Sequence, residues 1–187
     1  MFRAITLFII TAFLSLSAQA VTIDPANCGT SLICYTTTDN SNLNTSAEIE
    51  TAFGVSFDPD LTLYYKANQD GSAGDGSFLS SYSTTFSNPP SDPADADITY
   101  GTGASISCPD CYLLVKDGSQ TIAQYLIGLG SWNGTDTLEL ENFWPSNGAI
   151  SNVAIWGNVS PVPVPAAVWL FGTALIGFIG MSRRTKV

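Results

Sequence analysis

Histidine is absent from all 187 residues, and cations are almost absent from the middle of the chain. Without histidine, the chain cannot supply a Ser-His-Asp or Cys-His catalytic system, nor a histidine-ligated zinc or haem site. Between residues 21 and 160 there is no arginine, and two lysines stand against sixteen acidic residues, which gives a formal charge of −14. Because nucleic-acid binding depends on cations that neutralise phosphates, nucleic acid is not an expected partner. Carboxylate chemistry, such as that of a glycosidase, remains open.

The first twenty residues have the features of a secretory signal peptide. Arg3 gives a positive start, residues 5–16 are almost wholly apolar, and Ala18-Gln19-Ala20 forms an A-x-A cleavage pattern. We therefore expect cleavage after Ala20 and export of the rest of the chain. Residues 21–160 then form one acidic domain, whose length suits a single hydrophobic core. A retained N-terminal anchor is less favoured because the apolar run is short.

Residues 161–187 combine three features in a fixed order. The first is a proline motif that consists of Val162, Pro163, Val164, Pro165 and Ala166. Residues 166–181 follow without a charged side chain, and the basic tail 182–187 carries Arg183, Arg184 and Lys186. A helix over the uncharged stretch reaches about 24 Å, slightly less than the roughly 30 Å of a bilayer's hydrocarbon core. We predict a short transmembrane helix whose basic end is cytoplasmic, so that the acidic domain lies outside.

This layout resembles the PEP-CTERM sorting signal, in the VPxPA-type variant that exosortases process. The resemblance covers residues 162–187 and departs from the name-giving motif at Val164, where that motif carries Glu. It implies an exosortase, a membrane-embedded cysteine transpeptidase of Gram-negative bacteria, as the partner. It also implies that the C-terminal helix holds the chain in the inner membrane until cleavage near the motif. The ectodomain would then reach the cell surface or an extracellular matrix that contains polysaccharide. A permanent anchor is the alternative.

The domain between these signals is predicted to be mostly β, an antiparallel β-sandwich or jelly-roll-like fold with one short helix. Its strands are expected at residues 61–66, 77–86, 112–116, 122–129, 137–140 and 151–156, which are short β-prone runs. Turn signals at Asp117-Gly118, Asn133-Gly134 and Asn147-Gly148 separate several of them. The helix is expected to begin after Thr45, with Glu48 completing a capping box, and to end at Gly54. The complete fold adds the signal helix and the C-terminal transmembrane helix.

Four cysteines lie in two local pairs, Cys28 with Cys34 and Cys108 with Cys111. Since an exported chain enters an oxidising compartment, we predict a disulfide within each pair. A zinc site built from all four thiolates is the alternative for these residues. The Cys-Pro-Asp-Cys spacing also permits a redox interpretation, but a predicted strand follows it, whereas redox dithiols usually open a helix.

Ligand-binding signals in the domain are weak. The acidic stretches 70–77 and 91–97 lack the spacing of a calcium loop, so we interpret them as solvated loops. Trp156 is expected in the core, whereas Trp132, beside an Asn-Gly turn, is the best candidate for an exposed sugar contact. No cofactor and no metal ion are predicted.

Three functions follow from the sequence. The leading hypothesis is a non-enzymatic surface or matrix protein, with extracellular polysaccharide as a possible partner. The alternative is a carbohydrate-binding module, which predicts at least two exposed coplanar aromatic side chains. The third is a carboxylate glycosidase, which predicts a cleft with two facing acids about 5–10 Å apart.

Overall fold

The computed structural model describes residues 19–87, 92–107, 109–117, 120–130, 132–144 and 148–158. Within these ranges the chain is mostly β, with one α-helix, α1 (Ser46–Phe53), and a short 3-10 helix at Pro25–Asn27. The strands are β1 (Ala20–Ile23), β2 (Cys34–Thr37), β3 (Thr62–Asn68), β4 (Tyr82–Ser87), β5 (Asp95–Tyr100), β6 (Cys111–Lys116), β7 (Gln124–Gly128), β8 (Thr137–Leu140) and β9 (Asn152–Gly157).

The strands form two sheets. A four-stranded sheet has the order β1-β8-β5-β4, and a five-stranded sheet has the order β2-β7-β6-β9-β3. Neighbouring strands are antiparallel except β1 and β8, which pair in parallel from Ala20 opposite Thr137 to Ile23 opposite Leu140. The two-sheet, mostly β prediction is therefore confirmed, but an entirely antiparallel arrangement is wrong at β1.

The main hydrophobic core lies between the two sheets. Alternate residues of β6 and β7, including Leu113, Val115 and Ile127, contribute fully buried side chains from the five-stranded sheet. Ile98 and Leu138 contribute fully buried side chains from the other sheet. This arrangement follows from the two-residue period of a strand, which sends successive side chains to opposite faces.

A second core lies on the outer face of the five-stranded sheet, under α1. Ile49 of the helix is fully buried and belongs to one cluster with Leu114, Leu126 and Trp156. The buried position of Trp156 confirms its predicted place in the core. Because both faces of this sheet are covered, its central strands β6 and β9 are buried along almost their whole length.

The helix begins and ends where local sequence signals predict. The Thr45 side chain accepts a hydrogen bond from the Glu48 amide at 3.3 Å, and Glu48 Oε2 accepts one from the Thr45 amide at 3.0 Å. These reciprocal bonds form the predicted capping box. Gly54 ends the helix in the left-handed region, with a φ of 65°, which glycine adopts without steric cost.

All six predicted strands contain an observed strand, although the one predicted over residues 77–86 is shorter than expected. β4 begins only at Tyr82, because the preceding residues form turns in which Leu79 N donates to Gly76 O and Ser81 N to Phe78 O. The strands β1, β2 and β5 were not predicted. β5 includes Asp95 and Asp97, so the interpretation of residues 91–97 as one loop is wrong over its C-terminal part.

The terminal signals lie outside the described residues. These are the apolar run of the signal peptide, the proline motif Val162–Pro163–Val164–Pro165–Ala166, the predicted span and the basic residues Arg183, Arg184 and Lys186. Within the ranges that the structure describes, no helix is long and apolar enough to cross a membrane.

A buried hydroxyl ties the four-stranded sheet to two loops. Tyr82 Oη donates to Gly134 O at 2.6 Å and accepts from Ile106 N at 2.8 Å. Both bonds are buried, and Ile106 is fully buried. The Tyr65 hydroxyl forms a partly buried bond with Thr84 Oγ1 at 2.8 Å, which links β3 to β4.

Substitution Tyr82→Phe should therefore lower the free energy of unfolding by about 1–3 kcal/mol, since it leaves a buried amide and a buried carbonyl without a partner. Tyr65→Phe is the matched control. It should lower the free energy of unfolding by about 1 kcal/mol or less, because the partner of the lost hydroxyl is the Thr84 side chain, which can turn to water. Denaturant unfolding measures both values. Equal losses in the two variants would contradict the bridging role of Tyr82.

Candidate functional site

The first predicted disulfide is present. Cys28 and Cys34 are bonded, with their Cα atoms 5.2 Å apart. Cys111 is also in a disulfide and is buried at the first position of β6, while its predicted partner, Cys108, lies outside the described residues. The bond between Cys28 and Cys34 rules out the four-thiolate zinc site. A strand rather than a helix follows Cys111, as expected, so Cys111 does not open a helix as redox dithiols usually do.

Trp132 is not exposed, which corrects its prediction as a sugar contact. Its side chain is only 5% exposed, and Nε1 donates to Asp136 O at 2.8 Å. The cause is the turn that follows: Asn133 Oδ1 accepts from the amides of Thr135 and Asp136, which folds the chain back over the indole. The ring then packs against Tyr82, with ring centroids 6.1 Å apart.

Trp144 also serves packing. It is partly buried, Nε1 donates to Ile122 O at 2.8 Å, and its ring lies 5.3 Å from that of Tyr125. With Trp132 and Trp156 buried, the tryptophans of the described residues fill cores or anchor loops.

An acidic pair lies on the outer face of the four-stranded sheet. Asp97 of β5 is directly opposite Glu139 of β8, and Thr22 and Thr85 extend the same row on the outer strands. Asp97 is exposed, and Glu139 is half-buried. The pair lies on an open sheet face rather than in the cleft that a glycosidase needs. In the part of the chain that the structure describes, no three acidic or cysteine side chains converge as metal ligands.

A polar row crosses the five-stranded sheet near one end. Lys116 of β6 lies between Gln124 of β7 and Asn152 of β9, its direct partners in the register, and all three side chains are buried. Gln124 Nε2 donates to Asp39 O at 2.7 Å and to Ser41 O at 3.1 Å, which fastens the loop before α1 to the sheet. Gln124 Oε1 is buried without a hydrogen-bond partner among the described atoms.

Burial lowers the pKa of the Lys116 ammonium below its ordinary 10.5, although the nearby Asp117 and Asp39 partly oppose the shift. Lys116 is 8% exposed, and Nζ donates to Asp117 O at 3.4 Å. The peptide carbonyl of Asp117 thus accepts a hydrogen bond from this largely buried cation.

An open surface depression of about 360 Å³ lies beside the loop that the Cys28–Cys34 disulfide closes, and residues 29–35 line it. Ile33 is 66% exposed there and Tyr35 is 37% exposed. We call residues 29–35 the uncharged patch, because residues 25–38 contain no charged side chain. The sequence did not predict this surface. Its lack of charge is no distinguishing signal, because residues 118–135 form a longer uncharged stretch.

Comparison of the chain with protein-family models, with curated proteins and with solved structures found no match.

The acidic pair Asp97 and Glu139 predicts that removal of one charge stabilises the domain. Like charges directly opposite in a sheet repel, so Glu139→Gln should raise the free energy of unfolding by about 0.2–1 kcal/mol at low salt. The gain should shrink as salt rises, because both groups reach solvent. Asp60→Asn is the control, since it removes one exposed charge from a loop and changes the net charge equally. A gain of the same size in both variants would mean that net charge, not the pair, is responsible.

The burial of Lys116 predicts how the free energy of unfolding depends on pH. Because its folded pKa is below the unfolded value, the unfolded chain binds more protons between the two values, and stability rises with pH in that window. Lys116→Met should lack this contribution. The difference in unfolding free energy between the wild type and Lys116→Met, measured as pH increases toward about 10.5, should move in favour of the wild type. A difference that stays constant with pH would contradict the burial of an ionisable amine at this position.

Proposed function

We propose that the protein is an exported surface or extracellular-matrix protein of a Gram-negative bacterium, sorted and processed by an exosortase, with a non-enzymatic ectodomain. The observation that carries the proposal is the C-terminal order of proline motif, uncharged stretch and basic tail. The motif is Val162, Pro163, Val164, Pro165 and Ala166, and the tail carries Arg183, Arg184 and Lys186. Two prolines keep the motif extended, which is the form of chain that a transpeptidase can take.

The position of the described strands supports this division of the chain. β9 ends at Gly157, and Asn158 N donates to Asp110 O at 3.4 Å, so the described sheets lie before the motif in the chain. At the other end, cleavage after Ala20 would remove the pair of Ala20 with Thr137 and the hydrogen bonds of Gln19 with Asp136 and Thr137. It would keep Val21, Thr22 and Ile23 in register with β8. Both proposed cuts therefore leave the sheets almost complete.

The surface chemistry of the ectodomain also supports export. The Cys28–Cys34 disulfide suits an oxidising compartment. A formal charge of −14 over residues 21–160 keeps copies soluble and repels polyanions that lack bridging cations. We keep the jelly-roll-like description as part of the proposal, on the packing of two mostly antiparallel sheets around one core.

The two other functions have less support. A carbohydrate-binding module needs at least two exposed coplanar aromatic rings, and Tyr35 is the only exposed aromatic side chain within the described residues. A glycosidase needs two acids across a cleft, whereas Asp97 and Glu139 face solvent on a sheet. The non-enzymatic display role remains the function that we propose.

Processing can be tested by the intact mass of the protein from strains with and without the exosortase. With the enzyme, the mature chain should begin at Val21 and lack Trp169 through Lys186. Without it, the C-terminal stretch should remain. A variant with Pro163→Ala and Pro165→Ala should resist processing, because the motif loses its fixed extended form.

Pro161→Ala is the matched control for this variant, since it changes a neighbouring proline outside the motif and should leave processing intact. Recovery of the complete C-terminal stretch from both strains would contradict the proposal.

A further inference from the structure

The chain leaves the five-stranded sheet toward the sorting signal at one end of that sheet, which we call the exit end. β9 ends at Gly157, and Asn158 N donates to Asp110 O just beyond it. Asn158 is the last described residue before the proline motif. The exit end is therefore the part of the sheet from which the chain continues to the predicted membrane span.

The uncharged patch reaches the same end of the sheet. Tyr112 pairs with Trp156 on one side and with Gly128 on the other, so β7 ends level with the end of β9. Gly128 N donates to Ile33 O, which places Ile33, just before β2, at the exit end. Three strand spacings separate β2 from β9, so Ile33 lies about 15 Å to one side of the exit point.

Two exposed apolar side chains project at this corner. Ile33 is 66% exposed, the largest value among the exposed large apolar side chains of the described residues, and Tyr35 is 37% exposed. Tyr35 lies opposite Leu126, which packs in the outer core, so Tyr35 belongs to the outer face. Gly128 has no side chain to cover Ile33, although a Cβ there would lie 3.5 Å from the Ile33 Cβ. The corner is therefore apolar and open.

The length of the chain beyond Asn158 limits how far the exit end can stand from the membrane. Seven residues, 159–165, precede the predicted span, and fully extended they reach at most about 25 Å. About 5–8 Å of that length crosses the headgroup layer. The exit end thus stays within about 20 Å of the bilayer surface, whereas a domain of this length is roughly 35–40 Å across. The domain cannot turn its opposite end to the bilayer.

The chemistry of the patch matches a lipid interface. Thr30 and Ser31 are exposed neutral hydroxyls beside the apolar Ile33, and tyrosine is enriched at the level of lipid headgroups. Asp60 and Asp110 precede β3 and β6 at the exit end, so an anionic surface would be repelled there. A zwitterionic lipid surface is the occupant that fits both the apolar corner and the nearby carboxylates.

We propose that, before processing, the uncharged patch lies in the outer interface of the membrane that anchors the chain. Ile33 then reaches the boundary of the hydrocarbon, and Tyr35 lies among the headgroups. This inference rests on the proposed membrane span. Two side chains bind lipid weakly by themselves, but the tether keeps lipid at a high effective concentration. Cleavage near the motif removes the tether, so processing also releases the domain from the bilayer.

Quenching of tryptophan fluorescence by brominated lipid tests the proposal. The unprocessed chain, purified from the strain without the exosortase, is reconstituted into phosphatidylcholine vesicles with and without brominated acyl chains. In Ile33→Trp, bromine should lower the added emission of residue 33 at least about twofold, since the ring lies at the hydrocarbon boundary. Tyr35→Trp should be quenched less, because its ring lies among the headgroups.

Ile122→Trp is the matched control. Ile122 is 38% exposed and precedes β7, at the end of that strand opposite to Gly128, so its emission should not be quenched. The same substitution at both ends corrects for the affinity of tryptophan itself for interfaces. Thermal unfolding confirms that each variant is folded.

The wild type separates failure of this inference from failure of the span. Trp169, in the predicted span, should be quenched in every variant, and its protection would contradict the span and with it the docking. Quenching of Trp169 without quenching of residue 33 would overturn the docking alone. So would equal quenching at residues 33 and 122, or a blue shift at residue 33 without quenching, since protein rather than lipid would then cover it.

Discussion

Burial of the five-stranded sheet on both faces is the constraint on which the rest of the structure depends. One face packs against the four-stranded sheet around Leu113 and Val115, and the other packs against α1 around Leu114. All six residues of β9 are buried for the same reason. In a small domain with a large net charge, this two-sided burial supplies the apolar area that must offset charge repulsion and chain entropy. The positions of α1 and of the loop at Asp39 follow from this burial of the sheet on both faces.

Local hydrogen bonds, rather than ion pairs with lysine, stabilise many of the carboxylates. Sixteen acids share two lysines in the domain, so most acids need other partners. Asp39 accepts from the Ser41 amide and Asp70 from the Ser72 amide, each two residues ahead. These bonds, from the amide of Ser41 and from the side chain and amide of Ser72, lower the pKa of each carboxyl. The loops therefore remain ordered while they carry the negative charge.

In the proposed function, sorting and surface display depend on different parts of the chain. Residues 162–187 carry the features on which the proposed sorting and processing rest, and in this proposal the folded domain supplies the displayed surface. On that surface the loop closed by the Cys28–Cys34 disulfide and β2 belong to a segment, residues 25–38, that carries no charged side chain.

The sequence by itself determined the elements whose signals are local. The helix from Ser46 to Phe53 follows from Thr45, Glu48 and Gly54, because a capping box and a left-handed glycine act within one turn. β8 was predicted at its observed bounds, and the buried strands β6 and β9 were recognisable as apolar runs. The Cys28–Cys34 disulfide followed from the close spacing of two cysteines in a chain predicted to be exported.

Only the tertiary structure decided the features that depend on distant residues. β1 is a strand because it pairs in parallel with β8, more than a hundred residues away, and its four residues carry no pattern of their own. The acidic β5 is a strand because β4 and β8 flank it. Trp132 is buried because a turn folds it against Tyr82. Short edge strands and single aromatic side chains gain their stability from partners far along the chain, so their own residues do not reveal where they lie.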